Sequence, residues 1–277
     1  MTTAAILLAA LSASLFVWSY GVYPALIAGL AARGRSSAAP APNGPSPAPP
    51  TVDVIVSAAD EEAVIGARIA NLLDPKVAGE EAPGILIGCD GCRDGTASAA
   101  RSAGGARARV VEFPERRGKA SVVNDLVRDS SADVLVFTDA NTVFEAGALE
   151  ALRRRFADPL VGAVCGRLEF RTAPGARATP EAAYWDRETR TKEAEGTLGV
   201  CLGANGAIYA ARRGLVAPLP DDTTSMDDFL IPARVARARR RVVFARDAVA
   251  REDAARDVGA EAERRFRIGI GAGQVLR

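Results

Sequence analysis

The chain of 277 residues contains no histidine. That absence removes Ser-His-Asp triads, Cys-His pairs, HExxH sites and His-ligated zinc together, and it leaves acid–base chemistry to carboxylates, Lys, Tyr or Cys. Nor is there an excess of either charge, since 35 Lys and Arg stand against 34 Asp and Glu. With no global basic field to hold a phosphate backbone, nucleic acid is not an expected partner. The cysteines number four. Cys89 and Cys92 form a C-x-x-C, but Cys165 and Cys201 are isolated and no histidine can complete a zinc set, so free thiols in ordinary positions are the expectation. A nucleoside-triphosphate P-loop is missing too: Ala120 follows Gly118-Lys119 where Ser or Thr is required, and Phe113 stands where the first glycine should be. Gly269, Gly271 and Gly273 follow a helical stretch rather than a strand, which excludes a dinucleotide fingerprint.

Hydrophobic residues make up 48% of the chain, and part of them lie in one segment. Residues 2–32 carry no charge, a run of 31 residues, longer than the roughly 20 needed to span a bilayer core. One transmembrane helix is expected over residues 1–35, kinked or divided at Pro24, with Trp18, Tyr20 and Tyr23 suited to an interface. A cleaved signal peptide is the rival reading, and the missing basic n-region speaks against it. Arg33 and Arg35 after the span place the remainder on the cytoplasmic side of the cell (inner) membrane. Residues 36–50 contain six prolines in 15 positions and no large apolar side chain. They read as an extended Pro-rich linker, with a reach of roughly 45 Å.

Beyond the linker, apolar strands alternate with helical spacing, the pattern of an α/β layer fold with a mainly parallel sheet. Strands are expected at 52–56, 85–87, 109–112 and 134–137, and helices at 64–73, 96–103 and 120–127. From residue 161 the alternation weakens to a strand at 161–170, a helix at about 180–198, a strand at 207–210 after a Gly-rich turn, and a helix opening near Ser225. A basic helical stretch covers 261–268. The loops that follow the first four strands should line one crevice, because ligands in open α/β sheets sit beyond the carboxyl ends of the strands.

Several residues in that crevice could carry chemistry. Asp139-Ala140-Asn141 follows a strand, where a carboxylate and an amide two residues apart can reach one hard cation, or where Asp139 could cap the next helix. Asp90 ends a strand and points toward the same crevice, while Asp94 can cap the helix that begins at Thr96. Glu61 opens a helix as first-turn acids do. Met226-Asp227-Asp228 also opens a helix, and a carboxylate facing a cation-holding crevice is a natural general base for a hydroxyl.

Taken together these segments resemble glycosyltransferase family 2, inverting enzymes of the GT-A fold, including the cellulose-synthase and hyaluronan-synthase-like branch. The resemblance runs from about Val52 to the end. The opening P-x-Y-N-E looks like Ser57-Ala58-Ala59-Asp60-Glu61, and DDGSxDGT looks like Cys89-Asp90-Gly91-Cys92-Arg93-Asp94-Gly95-Thr96. GKxxALN looks like Gly118-Lys119-Ala120-Ser121-Val122-Val123-Asn124, and D-x-D looks like Asp139-Ala140-Asn141. The acceptor-side G-x-x-G-A resembles Gly203-Ala204-Asn205-Gly206-Ala207, and T-E-D resembles Met226-Asp227-Asp228.

The resemblance implies a catalytic domain over 51–277, with a nucleotide-sugar half (51–145) and an acceptor half (146–277). It implies that Ser57, Glu61, Asp90, Lys119 and Asp139 bind a nucleotide-sugar donor, a UDP-sugar in the expected case. Asp139 and Asn141 would hold Mg2+ or Mn2+, Gly203, Asn205, Gly206 and Asp227 would lie on the acceptor side, and Asp228 would be the catalytic base. Arg265 and Arg267 would clamp the diphosphate, and the acceptor would be a glycan or lipid-linked hydroxyl in polysaccharide synthesis. Three departures stand out: Ala59 and Asp60 replace the family's Tyr and Asn, Asn141 replaces an acid, and Arg264-Arg265-Phe266-Arg267-Ile268 stands where processive synthases carry Q-x-x-R-W.

Overall fold

The computed structural model describes residues 3–34, 48–171, 180–220 and 226–253, together with Phe266 and Gly269. Nearly all of the linker (36–47), most of the basic stretch 261–268, and the candidate clamps Arg265 and Arg267 lie outside the described residues.

The first four strands are β1 (Val52–Ala58), β2 (Gly84–Asp90), β3 (Ala108–Phe113) and β4 (Val134–Thr138). All are mutually parallel, with β1 between β2 and β4 and β3 outside β2. The central residues of β1, β2 and β4 are buried because both faces are covered, whereas β3, at the sheet edge, is only partly buried. Val54, Val56, Ile85, Ile87, Val134 and Val136 pack with Ile65, Ile69 and Leu72 of α3 (Glu62–Leu73) and Ala100 of α5 (Thr96–Gly104). Ile55, Leu86, Leu135 and Phe137 point the other way, onto Val122 and Leu126 of α6 (Lys119–Asp129) and Ile231 and Val235 of α9 (Asp227–Arg237). These elements match the predicted ones to within a few residues. A short helix that sequence reading did not anticipate, α4 (Pro75–Ala78), follows α3, with Pro75 at its first turn and Asp74 accepting from the Lys76 amide.

The second part of the chain departs from simple alternation. It holds β5 (Val143–Phe144), α7 (Ala148–Arg153), β6 (Val161–Arg171), α8 (Pro180–Leu198), β7 (Tyr209–Arg212) and β8 (Arg241–Asp253). Among the described residues the strands form an eight-stranded sheet of order β3-β2-β1-β4-β7-β6-β8-β5. Here β7 runs antiparallel to both β4 and β6, and β6 and β8 are parallel to each other. Strands β5 and β8 have no counterpart in the sequence reading, whereas α7 lies where a helix was expected to begin, near Gly147. The reason for β8 is visible in its register, which jumps from Gly166↔Ala245 to Arg167↔Val249. The bulge of Arg246, Asp247 and Ala248 breaks the period-2 pattern that would have announced a long strand.

The apolar N-terminal segment is divided at the expected place. Helix α1 (Thr3–Val17) runs into a π-helical turn over Trp18–Val22, and α2 (Tyr23–Gly34) continues from it with Pro24 at its second position. This 32-residue stretch is long and apolar enough to cross a membrane by length and composition.

The turn after β2 depends on Gly91. Its φ is 58°, and a Cβ there would lie 2.5 Å from the Arg116 amide nitrogen. Gly91→Ala is therefore expected to cost about 2 kcal/mol of stability through left-handed strain and backbone collision. Denaturant unfolding of the full chain checks it, and an unchanged midpoint would contradict the geometry.

Candidate functional site

The loops after β1, β2, β3 and β4 meet at one edge of the sheet, and side chain-to-backbone bonds join the first three. Asp94 accepts from the Thr96 amide at 3.0 Å, from the Thr96 hydroxyl, and from the Glu62 amide at 3.1 Å. Glu62 answers by accepting from the Gly95 amide at 2.9 Å, and the Glu61 amide donates to Thr96 Oγ1 at 2.8 Å. Asp60 has a left-handed φ of 61°, a conformation Asp and Asn adopt more readily than other side-chain-bearing residues. The Asp-for-Asn departure at this position therefore keeps the turn. Its carboxylate accepts from the Arg93 amide at 2.7 Å and from Arg116 at 2.9 Å.

Asp90 is 4% exposed and accepts from the amides of Arg117 at 2.6 Å and Gly118 at 2.9 Å. Both carboxylate oxygens thus fix the chain that leads into α6. The effect is to set Lys119, the first residue of that helix, into the crevice. Lys119 Nζ lies 3.0 Å from Asp139 Oδ1 at the end of β4 and 3.3 Å from Asp227 Oδ1 at the start of α9. Asp139 therefore binds the lysine and does not cap α7, which begins beyond Gly147. Asp227, 3% exposed, also accepts from the Tyr209 hydroxyl at 2.6 Å, and the Tyr209 ring stacks on Phe137 at 4.8 Å between centroids. Asp228 and Asp139 both face Gly206, their Oδ2 atoms 3.3 and 3.9 Å from where a Cβ would stand. Only glycine leaves that approach open.

The electrostatics follow from three acids around one ammonium. Burial alone would lower the Lys119 pKa, but Asp139, Asp227 and Asp228 outweigh it and raise it. Asp228 goes from 3.8 to about 7, through burial and then Asp227, with Lys119 and Lys192 opposing. Glu61 is also raised, by burial first and by Asp139 next. The crevice thus carries more negative charge than Lys119 balances. That donor set, hard oxygens with uncompensated charge and Asn141 exposed beside Asp139, fits a divalent cation. Another group with metal-ligating atoms, Asp60, Cys92 and Asp94, lies within the sewn loops. Both of its carboxylates are engaged in the bonds above, which gives them a structural task.

The remaining predicted residues are placed as follows. Ser57 lies in β1, paired with Gly88 of β2. Asn205 is 7% exposed and turns away to donate to the Gly166 carbonyl at 2.8 Å. The Gly203 carbonyl accepts from Lys192 Nζ at 2.5 Å, and the Ala204 amide donates to the Asp228 carbonyl at 2.9 Å. Sequence reading missed Lys192, a lysine 6% exposed on α8, because a polar helix gives no sign of which lysine turns inward. It also missed Arg68, 2% exposed, which donates to Thr138 Oγ1 at 2.7 Å while its guanidinium sits 4.1 Å over the Phe144 ring. Burial lowers the Arg68 pKa to about 9, with Asp139 and Glu252 opposing. An arginine inside the apolar face of α3 was the available signal.

Residues 49–271 match the family described as glycosyltransferase like family 2, more than half of the chain. The chain belongs to that family. The glycosyltransferase domain has the GT-A fold, as solved relatives show. A mannosyltransferase of Pyrobaculum calidifontis, solved in complex with GDP-Man and Mn2+, superposes with a TM-score of 0.69 at 25% identity, covering 92% of this chain and 71% of that one. Glucosyl-3-phosphoglycerate synthase of Mycobacterium tuberculosis, solved with Mn2+, UDP and glucosyl-3-phosphoglycerate, shares the fold at 19% identity, with a TM-score of 0.54 and 81% of each chain covered. Among curated proteins, an N-acetylglucosaminyltransferase of Sinorhizobium fredii is 26% identical over 216 residues, 76% of this chain and 52% of that protein. One from Rhizobium sp. (strain N33) is 24% identical over 176 residues, 62% of this chain and 39% of that protein. The glycosyltransferase chain thus spans about half or less of the length of these two relatives.

The raised Asp228 pKa makes a stability prediction with a definite sign. Between about pH 4 and pH 7 the folded state keeps a proton that the unfolded state has lost, so the contribution is complete below about pH 4 and disappears as pH rises through about 7. Without divalent cations, the stability advantage of Asp228→Asn over the parent should be greater at pH 8 than at pH 5 by on the order of 1–3 kcal/mol. Thermal unfolding at the two pH values decides, and an equal difference at both would remove the assignment.

Proposed function

We propose that the chain is a membrane-anchored inverting glycosyltransferase, moving a sugar from a nucleotide-diphosphate donor, a UDP-sugar by preference, to a hydroxyl of a glycan or lipid-linked acceptor. The observation that carries this reading is the meeting of Asp139, Lys119, Asp227 and Asp228 around Gly206 at the carboxyl edge of the sheet. Residues 51–145 would take the nucleotide and 146–277 the acceptor, with the apolar helix in the cell membrane and the domain on its cytoplasmic side. Polysaccharide synthesis is the setting this assignment suits.

In the proposed reaction Glu61, Asp90 and Ser57 line the nucleoside end, Asp90 chiefly by holding the loop that carries Lys119. Lys119 lies where a diphosphate oxygen can receive its charge. Asp139 and Asn141 would hold Mg2+ or Mn2+, which when bound neutralises charge on the departing diphosphate. Asp227 has one oxygen on Tyr209 and the other toward Lys119, which leaves Asp228 to accept a proton. Asp228 takes it from the acceptor hydroxyl as that oxygen attacks the anomeric carbon from the face opposite the diphosphate, inverting the centre. A carboxyl raised to about 7 is a stronger base than an ordinary Asp, as proton abstraction from a hydroxyl requires.

Calorimetric titration of the full chain with UDP- and GDP-sugars, in Mn2+ and in EDTA, tests the donor site. Binding of one donor class is expected with Mn2+, weakened at least about 10-fold by Asp139→Ala, a loss of about 1.4 kcal/mol. Asp228→Asn should keep that binding and lose roughly 10²–10⁴ in transfer rate. No metal-dependent binding to any donor would overturn the reading, and binding with no turnover in the parent would turn it into a nucleotide-sugar-binding module.

A further inference from the structure

The apolar N-terminal helix is not a uniform rod, and its two parts have different neighbours. Residues of α1 and of the π-helical turn are exposed, whereas α2 packs along α8 of the transferase domain, with Ala31 fully buried. The division has a chemical cause. Pro24 has no N–H, so the Tyr20 carbonyl loses its α-helical donor, and the ladder widens there, with the Tyr23 amide donating to the Trp18 carbonyl. Arg187 of α8 reaches this defect. Its Nη1 donates to the Tyr20 carbonyl at 3.4 Å, and its guanidinium lies 4.4 Å over the Tyr20 ring. Tyr23 then donates its hydroxyl to Glu195 of α8 at 2.5 Å.

A guanidinium is expensive to place in hydrocarbon, so the bilayer core has to end near Tyr20. Twenty residues, 3–22, make roughly 30 Å of helix, the thickness of that core. Nothing is then left of the span for α2 to supply. Helix α8 also reaches the crevice: one turn before Glu195, Lys192 donates to the Gly203 carbonyl at 2.5 Å and to the Ala204 carbonyl at 3.4 Å. The Ala204 amide in turn donates to the Asp228 carbonyl.

We propose that Tyr23–Gly34 is a structural element of the transferase domain rather than of the membrane span. In this arrangement Tyr23, Arg187 and Glu195 are positioning residues that lock it to α8 and so hold the loop carrying Gly203–Ala207 beside Asp228. The description of that loop as acceptor-binding, and the presence of a bilayer, rest on the function proposed above; the mechanical coupling between α2 and the loop does not. Burial raises the Glu195 pKa, against the lowering by Tyr23 and Lys192, and the proposal needs only an accepting oxygen at that position.

Hydrogen–deuterium exchange of the full chain in phospholipid nanodiscs, with no donor or acceptor added, tests the coupling apart from any turnover. Tyr23→Phe combined with Arg187→Met should speed exchange at least about 10-fold in 24–34 and also in 199–207, with strands 53–58, 84–90 and 134–138 unchanged. Glu195→Gln, which keeps an oxygen for the Tyr23 hydroxyl, should behave as the parent. Faster exchange confined to 24–34, spread equally over the parallel strands, or absent altogether would overturn the proposal. Failure of the donor titration with this exchange pattern intact would count against the function alone.

Discussion

The ion cluster around Lys119 joins parts of the chain that lie far apart in sequence. Its ammonium bridges the end of β4 and the first turn of α9, elements separated by β5, β6, β7 and α8. Three acids brought within reach of one another would repel in its absence. The geometry around the lysine is therefore prepared from behind. Asp90 fixes the two residues before it through their amides, and Tyr209 fixes Asp227. A buried ion pair is weak evidence for stability, and its better-attested use is to fix register between elements. Here the registered objects are the two sides of a crevice.

Adjacent acids acquire different characters in this arrangement. Asp227 spends both oxygens on protein partners, while Asp228, one residue later, is pushed to about 7 by burial and by Asp227 itself. Placing two carboxylates in different environments is the usual way one site assigns distinct tasks to identical groups. The absence of histidine gives this separation its importance, since few other groups in the crevice can titrate near neutrality.

The parallel half of the fold could be read from sequence because each of its strands has an apolar centre and is followed by an acidic or glycine-bearing loop, and each helix shows the 3.6-residue period. The convergence of Asp139, Lys119, Asp227 and Asp228 could be placed only through the resemblance of their motifs, since spacing along the chain says nothing about β7 entering antiparallel between β4 and β6. β8 was hidden by the bulge at Arg246–Ala248, where charged residues interrupt the alternation. The inward turns of Lys192 and Arg68 were hidden for another reason: their burial is decided by partners, the Gly203 carbonyl and Thr138, that are remote in sequence. Pro24 was read correctly as a division, while the docking of α2 on α8 depends on Arg187 and Glu195, which look like ordinary surface charges of a polar helix.

The position of β7 has a mechanical consequence. It is hydrogen-bonded to β4 along one edge and to β6 along the other, so the regions on either side of it share one continuous ladder. Swinging one against the other would tear backbone hydrogen bonds in a dry interior, where unmade bonds are costly. A cycle of substrate entry and product departure in such a body has to be accommodated by the segments that overhang the sheet's carboxyl edge, while the sheet keeps its shape. Variation in those overhangs could then retune what the crevice admits without disturbing the frame beneath it.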